Sequence, residues 1–447
     1  MGTFVIKNVS LVNRNSIRLC DVAVKNERIY KIGNHLQFNE QIKEISGEGL
    51  YLLPGIIDDQ VHFREPGYTH KGNVHSESRA AVAGGITTFM EMPNTNPATL
   101  TQSLLQEKYD QAAKTAFCNY SFYMGASNDN YDEVMRTNPE NVCGVKIFMG
   151  SSTGNMLVDN TRALNRFFSE LETLVAVHCE DEQTIKSNFA TYFEQYGTNL
   201  DATFHHHIRS AEACYLSSSK AVSLAEKYGT RLHILHITTG TELNLFSNSI
   251  PLREKRITSE VCVHHLHFNA SQYTTLGNLI KCNPAIKEDS QRQQLWKGLK
   301  EGYLDVIATD HAPHTWDEKH QPYINAPSGL PLIQHSLLMM LSYFDQGIIS
   351  LERIVELMCH NPAIAFRIKD RGYIDEGFYA DMVLVDLNQS TLVSEENVLY
   401  HCGWSPLAGS ALSGKVVTTW VNGHAVYDEK TTIHGMGKRL EFEKLRL

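Results

Sequence analysis

The chain has 447 residues, more than a single hydrophobic core usually serves, and its 42% hydrophobic and 20% charged content is ordinary globular usage. Lys+Arg 40 against Asp+Glu 50 gives a net charge of -10, which argues against a nucleic-acid footprint. The Cys 9 are odd in number, scattered and without a C-x-x-C, which argues against a disulfide framework or a cysteine zinc site.

The N-terminal MGTFVIKNVS reads as a strand rather than a signal peptide, and Ile6 breaks the myristoylation pattern. No stretch approaches the roughly 18 apolar residues that span a bilayer, so a cytoplasmic protein is expected. Short β-type runs follow at Phe4-Val5-Ile6, Val22-Ala23-Val24 and Ile29 to Ile32. The C-terminal part repeats the pattern at Met382 to Val385 and Val416 to Val421, where Asn422-Gly423 suits a hairpin turn. Strands at both ends around a different middle predict a small composite β-sandwich from residues 1–54 and 366–447.

The middle, residues 55–365, carries eight apolar runs, each ending on polar, reactive residues. They lead into Asp58 to His62, into Met92-Pro93-Asn94 and through Ser121 to Met124. The others are Val145 to Phe148, Val175 to His178, Ile234 to His236, Val261 to His264 and Val306 to Asp310. Between them, stretches such as Ser210 to Tyr228 and Ser290 to Lys300 have helical period. An open doubly wound sheet would alternate in the same way. The count of eight and the absence of a G-x-G-x-x-G favour an α/β fold of the (β/α)8, or TIM-barrel, type. Active sites in that fold sit where the strands end.

His178 and His236 each close an apolar run. A lone histidine there is more often a satisfied core residue, but several converging on one barrel face are what zinc needs. Lys146 stands inside Gly144-Val145-Lys146-Ile147-Phe148-Met149, where an unpaired ammonium is costly. Three readings stay open: a side chain that snorkels to the barrel mouth, a Schiff-base lysine, or a lysine carbamylated by carbon dioxide. The surrounding histidines favour the third. Asp310, in Thr309-Asp310-His311-Ala312-Pro313-His314, can ligate a metal and shuttle a proton. Arg64 follows His62 by two, on the same side of a strand, and suits a bidentate clamp on a carboxylate, although a surface ion pair is the commoner fate of an arginine.

Together these residues resemble the dihydroorotases of the amidohydrolase superfamily, most of all their longer bacterial branch, from about Pro54 to Gly423. The shared strings are PGIIDDQVHFREPG, GGITTFMEMPNTNP, GVKIFMG, VAVHCEDE, LHILHIT, SEVCVHHL, KCNPAIK, IATDHAPH and ADMVLVD. The resemblance implies reversible ring closure of N-carbamoyl-aspartate to dihydroorotate, in pyrimidine biosynthesis. It implies two zinc ions sharing a carbamylated (N6-carboxylated) Lys146 and a bridging hydroxide. His62 and Asp310 would serve one ion, His178 and His236 the other, with Asp310 also carrying the proton. Arg64, Asn94, Asn283 and His314 match the positions that hold the substrate. The arginine of HFREPG suits a ring carboxylate, which separates this reading from allantoinase, the alternative activity.

The chain also departs from that pattern. Where the family's first metal motif is H-x-H, this sequence has Gln60-Val61-His62, so a weakened first metal site is expected. PSGLPLIQH, from Pro327 to His335, differs from many relatives. His205-His206-His207 has no counterpart and is expected to be a loop cluster. His264 and His265 are expected to support the site from behind. Gln60 also motivates a catalytically silent homologue, which retention of Lys146, His178, His236 and Asp310 opposes. The expected partners are a small-molecule substrate and a second copy of the chain, with aspartate transcarbamoylase the natural companion of a silent homologue.

Overall fold

In the terminal segments apolar runs such as Phe4-Val5-Ile6 and Met382 to Val385 are buried at consecutive positions, and a sheet covered on both faces over that stretch is what such strands form. The computed structural model describes residues 3–150, 156–428, 431–432 and 435–444. Among these residues nine strands make one mixed sheet from both ends of the chain. The N-terminal strands are β1 (Thr3–Asn13), β2 (Ser16–Lys25), β3 (Arg28–Gly33), β4 (Lys43–Ser46) and β5 (Tyr51–Pro54).

Eight parallel barrel strands come next. They are β6 (Ile56–Val61), β7 (Ile86–Glu91), β8 (Asn119–Phe122) continued by β9 (Met124–Gly125), β10 (Val145–Phe148), β11 (Val175–His178), β12 (Leu232–Ile234), β13 (Ile257–Cys262) and β14 (Val306–Ala308). The C-terminal strands β15 (Met382–Leu392), β16 (Ala411–Val421), β17 (His424–Asp428) and β18 (Thr431–Thr432) complete the first sheet.

The two ends of the chain meet at β5, which pairs parallel with β1 and antiparallel with β15. Ile6, Val9, Leu11, Val22, Leu52, Leu384 and Trp420 form the core of that sheet. Val421 faces His424 across Asn422 and Gly423, whose φ angles of 50° and 76° are those a tight I′-type hairpin turn requires.

The barrel closes where His62 N–H donates to His311 O at 2.7 Å, beside a parallel bridge between Val61 and His311. Ile57, Met90, Tyr123, Ala176 and Leu235 fill its lower lumen, and Ala363 and Phe366 pack against them. The flanking helices follow the expected pattern. Ala211–Tyr228 starts at Ser210, whose hydroxyl accepts from Ala213 N–H, and stops at left-handed Gly229. Its buried Cys214, Ser218, Ala221, Val222 and Ala225 form one stripe, and a side chain such as Val222 contributes about 1.5–3 kcal/mol when buried.

Two local expectations are corrected. The run ending at His264 stops being a strand at Cys262, and His264 and His265 lie in the short helix Val263–His267. His205, His206 and His207 are not a loop but the helix His205–Ile208, with His205 buried.

Candidate active site

At the C-terminal ends of the strands one cavity of about 260 Å³ is lined by His62, Arg64, Asn94, Lys146, His178, His236, Asn283, Asp310 and His314. All nine residues singled out in the sequence therefore meet. They come from seven different strand ends or loops, so only the closed barrel brings them together. Three of them, Arg64, His236 and Asp310, have φ values of 70°, 43° and 47°. Non-glycine residues rarely adopt this conformation, and it clusters where the surrounding structure forces it. At His236 one compensation is visible: its backbone N–H donates to Glu260 Oε1 at 3.1 Å.

His178 ends β11 and His236 follows β12 by two residues. His178 Nδ1 and His236 Nε2 face each other at 2.9 Å. Burial lowers the pKa of both imidazoles, so both are neutral at neutral pH. A buried pair of neutral imidazoles with converging nitrogens is a zinc-type donor set. His178 Nε2 is held from behind by Glu180 Oε2 at 3.0 Å, and Arg209 pairs with the same carboxylate.

Lys146 sits in mid-strand and is 1% exposed, which corrects the snorkelling reading. Its ammonium loses hydration, and burial pulls it down to about 7. A neutral amine is therefore accessible near neutral pH, and this is the form that takes up carbon dioxide as a carbamate or a carbonyl as a Schiff base.

At the other end of the cavity Asp310 Oδ1 lies 3.1 Å from His62 Nε2, and His62 Nδ1 lies 2.8 Å from Asn94 Oδ1. Burial pushes the Asp310 carboxyl up, but the hydrogen bond and charge of His62 outweigh it and leave it below the usual carboxylate value. Asp310 is thus ionised and ready to accept a proton.

Arg64 donates through Nε to Pro313 O at 3.0 Å and places Nη2 3.0 Å from His314 Nε2. Loss of water lowers its guanidinium to about 10, still charged at neutral pH. Among the described residues no carboxylate lies within ion-pair distance of it. The rim beyond His314 is tightly fixed. Lys319 Nζ donates to Lys281 O, Pro327 O and Gly329 O at 3.1, 3.0 and 2.9 Å. Gly329 is obligatory there: its φ is 143°, and a Cβ would lie 2.4 Å from Ala312 O.

The supporting role expected of His265 has a structural counterpart, whereas that of His205, expected only as part of a loop cluster, was not foreseen. His205 Nε2 lies 2.8 Å from Cys282 O and His265 Nε2 lies 3.1 Å from Pro284 O, so two histidines grip the carbonyls on either side of Asn283. Glu180 was legible in part, since it follows His178 by two and points to the same side.

A model of the amidohydrolase family matches residues 51–426. The chain belongs to the amidohydrolase family. This amidohydrolase is 31% identical over 417 residues to the dihydroorotase of Halobacterium salinarum, covering 93% of this chain and 94% of that one. It is 28% identical over 440 residues to the allantoinase of Salmonella choleraesuis, covering 95% of each. Among solved structures, the L-hydantoinase (dihydropyrimidinase) of Arthrobacter aurescens superposes with a TM-score of 0.93 at 26% identity, covering 99% of this chain and 100% of that one. The amidohydrolase is thus a hydrolase acting on cyclic amides. No helix among its described residues is long and apolar enough to cross a membrane.

Proposed function

We propose that this amidohydrolase is a dihydroorotase, interconverting N-carbamoyl-L-aspartate and dihydroorotate plus water in pyrimidine biosynthesis. The observation that carries the reading is Arg64: a partly buried guanidinium, charged at neutral pH, facing the cavity with no protein carboxylate as partner among the described residues. An unpaired cation in such a place favours an anionic ligand, and a planar guanidinium favours a carboxylate. Dihydroorotate carries one on its ring, whereas hydantoin and allantoin do not.

The remaining roles follow from position. Arg64, Asn94, Asn283 and His314 hold the carboxylate and the ureido edge and fix the ring in one orientation. His178, His236 and Lys146, the last as its carbamate, are the donors that would hold zinc. When bound, zinc lowers the pKa of its water to about 7 and polarises the ring carbonyl. Asp310 accepts a proton on a carboxylate oxygen during ring opening and passes it to the departing ring nitrogen. In ring closure it takes the proton from the ureido nitrogen instead.

The test is substrate choice, measured as kcat/KM for dihydroorotate, allantoin and hydantoin. The native protein is expected to prefer dihydroorotate. Arg64→Gln is expected to lose about 100-fold on dihydroorotate, since truncating one partner of a buried charge pair costs about 2–5 kcal/mol, and to change little on the neutral rings. Faster turnover of allantoin or hydantoin by the native protein would falsify the assignment.

A further inference from the structure

We infer that Gln60 takes the place of a metal ion at the His62 end of the cavity, so that this chain holds a single catalytic ion, at the His178–His236 end. The inference rests on the metal-dependent reading above and narrows it.

Gln60 lies in β6, is buried and lines the cavity. Its amide has two chemically different ends. Nε2 donates to Asp310 Oδ1 at 3.1 Å, while Oε1 accepts from the buried Cys262 Sγ at 3.7 Å. Rotating the amide by half a turn would set its oxygen against Asp310 Oδ1, two acceptors with no hydrogen between them. The atom turned toward Asp310 is therefore an NH2 group. Such a group donates hydrogens and has no lone pair to offer a cation. The oxygen that could coordinate is turned away, toward the thiol.

Asp310 Oδ1 is already shared. His62 Nε2 approaches the same oxygen at 3.1 Å, and the other nitrogen of His62 lies 2.8 Å from Asn94 Oδ1. Apart from what it would share with the far end, this end of the cavity offers a zinc ion one imidazole and one carboxylate, short of the three or four protein donors that zinc takes. The far end offers two facing imidazoles and the Lys146 side chain, with Asp310 within the same cavity. The donor count is sufficient there and deficient beside Gln60. Gln60 and His62 together hold Asp310 Oδ1 from two sides, which is the orienting service that a second ion would otherwise perform. Gln60 is thus a positioning residue for the proton carrier.

The experiment is metal counting on the full chain, with a spectroscopic check. Native protein and Gln60→His are saturated with manganese, freed of loose ions and measured for metal per chain and for electron paramagnetic resonance. The native chain is expected to retain one ion with the spectrum of an isolated Mn(II). Gln60→His is expected to retain two, with the exchange-coupled spectrum of a close pair. If that variant does not fold, Gln60→Glu supplies a coordinating oxygen in nearly the same volume and has the same expected outcome. Two retained ions in the native chain would overturn this inference and leave the metal-dependent reading standing. One ion in both native and variant chains would show that Gln60 is not what empties the position and would also overturn it. No retained ion in either would sink the metal-dependent reading together with the inference.

Discussion

Two layers of the barrel interior treat histidine in opposite ways. At the mouth, burial presses His178 and His236 below the ordinary imidazole pKa, although Glu180 pulls His178 the other way. Nearer the N-terminal ends of the strands, His233 Nε2 lies 3.1 Å from Asp59 Oδ2 and 3.5 Å from Glu260 Oε2, all three residues fully buried. Burial opposes the charge there too, but the two carboxylates overcome it and raise His233 to about 9. The same residue type is thus a neutral donor in one layer and a fixed cation in the next. The difference is the count of carboxylates within reach, not the depth of burial. One layer is built for chemistry and the other for holding the chemistry in place.

The comparison breaks first, and most visibly, at Asp310. Asp310→Asn keeps the volume and the contact with Gln60 but removes the proton acceptor. Loss of a general acid–base group costs about 10²–10⁴-fold, so kcat is expected to fall by about 10³-fold. Thermal stability should change little, because the mouth layer is specialised for reaction rather than for packing. A variant with native kcat would remove Asp310 from the proton path.

The lower layer should show the reverse signature. His233→Gln leaves Asp59 and Glu260 buried without their cation. Breaking a buried ion pair on one side costs about 3–5 kcal/mol, so a loss of about 3 kcal/mol in unfolding free energy is expected, read from the denaturant midpoint. Where the variant is folded, kcat should fall by less than about tenfold, the residual loss coming through Glu260, which also accepts the backbone N–H of His236. A collapse of kcat with unchanged stability would mean that His233 belongs to the catalytic layer.

Much of the candidate site at the barrel mouth was legible in the sequence, because its signal is local. An apolar run that ends on His or Asp marks a strand end, and eight such runs favour a closed barrel whose strand ends converge. His62, His178, His236 and Asp310 stand out in that way, and Lys146 as a cation inside a run. The supporting residues were legible only in part, at His265 and Glu180, since the partners of the others are remote. His205 reaches Tyr323 and Cys282, and Lys319 reaches Lys281, contacts that exist only once the barrel has closed. The strand that was read through His264 failed for a different reason. Cys262 caps the following helix without a side-chain hydrogen bond, so no Ser, Thr, Asp or Gly marks the change. At Lys146 the spacing placed the residue but could not give its burial, and burial is what decides against the snorkelling reading.

The smallest expected effect is also the most direct test of the contrast between layers, because it reads the proton itself. His233 binds its proton more tightly in the folded chain, at about 9, than in the unfolded chain at its ordinary 6.5. Its contribution to stability is therefore complete below about pH 6.5 and is lost as the pH rises through about 9. Glu260 acts in the same sense. Burial and the neighbouring Asp59 raise its carboxyl, so its ionisation in the folded protein also costs stability as the pH rises. The two contributions add rather than cancel, each bounded by about 1.4 kcal/mol per pH unit. Stability measured from pH 6.5 to 9 should fall for the native chain. The net charge of -10 becomes more negative over that range in any variant, so native decline alone would not single out this cluster. The discriminating quantity is the difference between native and His233→Gln, which should narrow as the pH rises, because the native chain loses what the variant never had. Parallel curves over that range would mean that His233 is not a fixed cation and that the two layers differ in position alone.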